Sequence, residues 1–104
     1  MSEIDELTRT LREFAKGRDW ERFHTPKNLV MAISGEAGEL AAEFQWLSSE
    51  ESCSLKDLPT QNIELEIADV AIYLLRLCDV MEVNLADAIK KKIRINEKRF
   101  PITT

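Results

Sequence analysis

Glu36 and Glu39 form an ExxE pair, and Glu66 and Asp69 an ExxD pair, inside the two most apolar stretches of the chain. A three-residue step on a helix keeps both members of a pair on one face, at a cost of a few tenths of a kcal/mol in like-charge repulsion. Burying uncompensated carboxylates costs several kcal/mol each, so acids interrupting apolar helix call for something positive between them. Two such pairs facing one another would make a cation site. All the ligands are oxygens, so the expected ion is hard: Mg²⁺, with Mn²⁺ as a substitute, held by a few carboxylates, waters and substrate phosphates.

The competing arrangement is an internal ion-pair network. Arg76 would pair with Asp69 or Tyr73 from its own helix, and basic residues of the last helix would add to it. That gives a non-catalytic oligomerisation or regulatory module. A di-iron bundle is disfavoured, because the Glu-x-x-His spacing is missing and the one histidine, His24, lies outside both pairs. Lys92, Asn96 and Arg99 fall at steps of four and three, which places an ammonium, an amide and a guanidinium on one helix face. Arg grips phosphate through two parallel hydrogen bonds and Lys as a point charge. The alternative for such residues is to complement the dipole at a helix C-terminus, the role expected of Lys90, Lys91 and Lys98.

Helices must position these groups. Ile4, Leu7, Leu11 and Phe14 recur at helical spacing and predict a first helix ending near Lys16-Gly17, with the glycine as its cap. Thr25 followed by Pro26 fits an N-cap and first helical residue, opening a second helix to about Leu47. Gly35 and Gly38 flank Glu36 there, and each weakens a helix interior by roughly 1 kcal/mol, which suggests close approach of a neighbouring helix or ligand. The Ser-rich, acidic segment SSEESCSLKDLPT is expected to be the most flexible connection. A third helix from about Gln61 to Glu82 and a fourth from about Leu85 to Lys98, stopped by Pro101, complete the pattern. The reading is all-α: four main helices forming an antiparallel bundle. The third is apolar nearly all round, and one chain of 104 residues hardly supplies that much cover, so the bundle is expected to be completed by oligomerisation, as a homodimer or a dimer-of-dimers tetramer.

By length, residues 1–104 make one domain. A net charge of −5 is a poor balance for gripping DNA or RNA, so nucleic-acid polymers are not expected partners. A small phosphorylated metabolite is compatible with it, since metal ions reverse the local sign around acidic groups. The opening MSEIDELTRTLREF lacks a basic region followed by an apolar run, and no segment of membrane-spanning length is visible. Cys53 and Cys78 show neither a disulfide framework nor zinc spacing. The expected location is the cytoplasm, away from membranes.

GEAGELAAEFQW together with ELEIADVAIYLLRL resembles the ExxE…ExxD signature of the MazG-like, all-α nucleoside triphosphate pyrophosphohydrolases. RDWERFHTPKNL and KIRINEKRFP resemble the corresponding segments of its dCTP pyrophosphatase branch. The resemblance implies Mg²⁺ bound by Glu36, Glu39, Glu66 and Asp69, with hydrolysis of a nucleoside triphosphate between the α and β phosphates to a monophosphate and pyrophosphate. One acid would act as general base toward the attacking water, and Glu39 is favoured. Lys92, Asn96 and Arg99 match the family's phosphate-binding positions, and Trp20, His24 and Trp46 line up with those used around the nucleobase. An indole stacks on any base at roughly 1–3 kcal/mol, so hydrogen bonding from Asn28 or His24 would have to choose among bases. Leu11 stands where animal members carry a histidine, a departure in the base-recognition shell.

Overall fold

The computed structural model describes residues 1–103, and every regular element among them is helical. Helix α1 (Glu3–Gly17) begins with a capping box: the Ser2 hydroxyl accepts the Asp5 N–H at 3.1 Å, and the Asp5 carboxylate accepts the Ser2 N–H at 3.2 Å. Gly17 is the last helical residue rather than the cap. Arg18 takes that place, and the left-handed turn beyond it is made by Asp19 at φ 56°, a residue type that tolerates the conformation.

A 3-10 turn (Glu21–Phe23) then leads into α2 (Pro26–Ala42), capped as expected by Thr25, whose hydroxyl accepts the Asn28 N–H at 3.2 Å. Helix α2 ends about a turn before Leu47. From Glu43 to Leu47 the chain tightens into i→i−3 hydrogen bonds, so Phe44 and Trp46 leave the helical row. The Ser-rich connection carries more order than its composition suggests. Ser48 and Glu51 cap each other reciprocally at the one-turn helix α3 (Ser49–Ser52), and a further 3-10 turn follows at Leu55–Asp57. Helices α4 (Thr60–Val80) and α5 (Leu85–Arg99) match their expected spans to within two residues, with Asn84 capping α5 through the Asp87 N–H at 3.0 Å.

Helices α2 and α4 pack most extensively, and α1 lies against α4. Helix α5 makes only sparse contact with the other elements and buries no residue. The buried set is correspondingly thin: Ala15, Leu29 and Ile63, together with the charged Arg76. Leu65, Ile67 and Leu74 of α4, with Val30 and Met31 of α2, remain exposed. The accessible surface is 8342 Å², against about 6,000 Å² for a compact chain of this mass. The radius of gyration is 16.8 Å, against about 13 Å for a compact domain of this length. Among the described residues no neighbour approaches Gly35 or Gly38, since an added Cβ would meet nothing within 4 Å at either position. The close approach that these glycines suggested is not supplied by this chain's own helices.

Candidate metal centre and adjoining pocket

Pairing of α2 with α4 brings the two acidic motifs together. Carboxylate oxygens of Glu36, Glu39 and Glu66 lie within 4.8 Å of one another. Asp69 stands outside that trio but close to it, lining a cavity with Glu36 and acting on both Glu36 and Glu66 through its charge. Oε2 of Glu36 and Oε2 of Glu66 are closed off from solvent and have no hydrogen-bond partner among the described residues. Burial pushes both carboxyls above the usual carboxylate range, and the neighbouring Glu39 and Asp69 add to it. Glu43, half-buried one turn further on, contributes a smaller push on Glu66.

An ion-pair network does not relieve this strain. Among the described residues no salt bridge reaches Glu36, Glu39, Glu66 or Asp69. Arg76, expected to pair with Asp69 or Tyr73, instead donates from Nη1 to Asp79 at 2.9 Å and from Nε to Nδ1 of His24 at 3.2 Å. The i,i+3 step to Asp79 and the chain returning through His24 hold its guanidinium on those two partners. What remains is a set of close, oxygen-only ligands with two orphaned acceptors, and such a set fits a hard divalent cation.

Next to the acids lies a cavity of about 250 Å³ lined by Leu11, Phe14, Trp20, His24, Tyr73 and Arg76 as well as Glu36 and Asp69. Trp20 packs edge-on to Phe14 with ring centroids 5.7 Å apart, and His24 faces the edge of Tyr73 at 6.5 Å. Ligand pockets run to about 300–1,000 Å³, so this cavity lies just below that range. A larger cleft of about 720 Å³, between the start of α1 and the α4–α5 turn, holds none of the candidate residues.

Of the residues singled out from the sequence, Trp20, His24, Glu36 and Asp69 thus share one cavity, with Glu39 and Glu66 clustered beside Glu36. Trp46 does not join them and is 87% exposed. Lys92, Asn96 and Arg99 share a face of α5, with Asn96 half-buried and the other two exposed, and none lines the cavity. Asn28 spends its side-chain amide on the Phe23 carbonyl at 3.0 Å, leaving His24 as the polar group beside the indole. Tyr73 and Phe14 escaped notice as pocket residues because each continues an ordinary apolar row. Tyr73's place one turn after Asp69 was the available signal.

No known protein-family model matches the chain. Among curated proteins, dCTP pyrophosphatase 1 of Bos taurus is 40% identical over 101 residues, covering 95% of this chain and 60% of that protein. The Homo sapiens protein of the same name is 41% identical over 100 residues, covering 94% and 59%. The chain therefore spans about three-fifths of the length of these relatives. A crystal structure of a pyrophosphatase from Archaeoglobus fulgidus superposes with a TM-score of 0.92 at 46% identity, covering 98% of this chain and 95% of that one.

Proposed function

Since the chain belongs to the MazG-like, dCTP-pyrophosphatase-type family, we propose that it hydrolyses a nucleoside triphosphate, dCTP or a related or modified deoxynucleotide, to the monophosphate and pyrophosphate. The observation that carries this reading is the trio of carboxylates with two orphaned oxygens beside an aromatic cavity.

Glu36, Glu39, Glu66 and Asp69 would hold Mg²⁺, with Mn²⁺ as a substitute; when bound, the ion neutralises phosphate charge and lowers the pKa of an attacking water. Glu39 is the exposed member of the trio, so it meets solvent and serves as general base toward that water. Trp20 stacks on the base, and His24 supplies the directional hydrogen bond that stacking lacks. Lys92, Asn96 and Arg99 take the phosphates, and Trp46 adds a second indole at the base.

Self-association is part of the proposal, as a homodimer or a dimer of dimers. It is supported by the roughly 2,000 Å² of surface in excess of a compact chain, by the uncovered apolar side chains of α2 and α4, and by the sparse packing of α5. Assembly would bring α5 and Trp46 of one copy toward the cavity of another. No helix of the described residues is long and apolar enough to cross a membrane. The net charge of −5 argues against nucleic-acid polymers as substrates, and the substrate class implies a task in the cytoplasmic nucleotide pool.

The test is direct. Purified protein is incubated with each deoxynucleoside triphosphate and Mg²⁺, and monophosphate and pyrophosphate are quantified. Turnover of at least one substrate, abolished in Glu39→Gln/Asp69→Asn, is expected; no turnover of any nucleotide, or full activity of that variant, would sink the proposal.

A further inference from the structure

His24 has two ring nitrogens, and only one is tied down. Nδ1 lies 3.2 Å from Nε of Arg76, while Nε2 has no hydrogen bond to any described residue and is not closed off from solvent. A guanidinium carries donors and no acceptor, so the nitrogen it meets must bear a lone pair. In the neutral imidazole the proton is then on Nε2.

Arg76 is itself held with unusual firmness for a charged residue. It is 4% exposed, its Nη1 is bonded to Asp79, and Asp79 is gripped from the other side by Nε and Nη2 of Arg12. Four side chains from α1, α4 and the loop before α2 thus form one line ending at His24. A residue buried and ion-paired in this way has little rotamer freedom left, and neither does the nitrogen it addresses.

We propose that Arg76 is a positioning residue that locks His24 as the Nε2–H tautomer, a fixed donor which favours a base presenting a bare ring nitrogen to it and disfavours one presenting a ring N–H there. For pyrimidines this separates cytosine, whose N3 accepts, from uracil and thymine, whose N3 carries a proton. The surroundings keep the ring neutral: burial and then the Arg76 charge pull the imidazole below its ordinary range, against a smaller opposing pull from Glu21, with Tyr73 and Trp20 as its other neighbours. The base-selection half of the inference rests on the nucleotide reading above; the tautomer half does not.

His24 is the single histidine of the chain, which makes the experiment unambiguous. Long-range ¹H–¹⁵N correlation spectra of the nucleotide-free protein near neutral pH should show Nε2 protonated and Nδ1 bare. Arg76→Met should give a mixture of tautomers, and Arg76→Lys, which retains a donor, should restore much of the wild-type pattern. In parallel, kcat/KM for dCTP over that for dUTP should fall about tenfold in Arg76→Met and partly recover in Arg76→Lys, the loss of one oriented hydrogen bond. A protonated Nδ1 in the wild type, or an unchanged dCTP/dUTP ratio in Arg76→Met, overturns the inference. If Arg76→Met does not fold, the wild-type spectrum and the lysine variant still decide it. Wild-type protein inert toward every nucleotide would instead overturn the pyrophosphohydrolase reading and the base-selection half with it, leaving the tautomer to be read on its own.

Discussion

Arg12 and Asp79, 67 positions apart, meet side-on through two hydrogen bonds, Nη2 to Oδ1 at 2.6 Å and Nε to Oδ2 at 2.9 Å. The same carboxylate accepts from Arg76, so one acid joins α1 to α4 and neutralises a buried cation. Asp79→Ala strips a buried guanidinium of its counter-charge and should cost about 3–5 kcal/mol in denaturant unfolding. Arg12→Ala removes an exposed, solvent-screened partner and should cost far less than Asp79→Ala. The Arg12 hydrogen bond, with the Arg12 and Arg76 charges, holds the Asp79 carboxyl below its ordinary range against the opposing effect of burial. Its contribution is therefore present above the unfolded value of about 3.9 and is lost as pH falls through the lower folded value.

The acid cluster has the opposite sign. Glu36 and Glu66 are raised in the folded chain, so folding favours their protonated forms. Stability from this source is complete below about pH 4.3 and is lost as pH rises through the raised values. Metal-free protein should accordingly melt higher at about pH 5 than at about pH 8, and saturating Mg²⁺ should shrink the difference. Glu36→Gln should raise the melting temperature at the higher pH without metal while weakening Mg²⁺ binding in calorimetry. A pH-independent melt would count against the cluster as described.

Gly35→Ala and Gly38→Ala each replace the poorest non-proline helix former with the best, into empty space. Each should raise stability by up to about 1 kcal/mol in chemical denaturation. A fall would mean that something outside this chain, a second copy or a ligand, lies against α2 at that point.

Neutralising the basic face of α5 should weaken substrate binding without unfolding the protein, since that helix buries nothing in its own chain. Lys92→Ala and Arg99→Ala should each raise KM about ten- to a hundredfold, the loss of a charge-assisted hydrogen bond. Lys91→Ala, outside that face, should stay within about threefold. Equal losses at all three positions would point to general electrostatics rather than phosphate contacts.

Sedimentation should find the protein as a dimer or tetramer at micromolar concentration. Leu65→Glu and Met31→Glu, each placing a charge on an exposed apolar position, should shift it toward monomer. A well-folded wild-type monomer would refute the assembly.

Much of this molecule was legible from spacing. Pattern and caps located the long helices, because Thr25-Pro26 and the apolar periods are local signals, and the three-residue acid steps marked the faces that α2 and α4 turn toward each other. The end of α2 was not legible, since Phe44 and Leu47 keep the helical period while the backbone tightens beneath them. Nor was the direction taken by Arg76. Asp69, Tyr73 and Asp79 are all within reach along the helix, and only the fold shows that His24 and Arg12 arrive on the Asp79 side. Trp46 and the α5 residues were readable as chemistry but not as places, because their distance from the acids is not fixed by any local rule.

The thin buried set bears on the life of a newly made copy. Leaving the ribosome, it would show Val30, Met31, Leu65 and Ile67 to whatever it meets first. Transiently uncovered apolar surface of this kind is prone to aggregate, so crowding among newly made copies would lower the yield of folded protein.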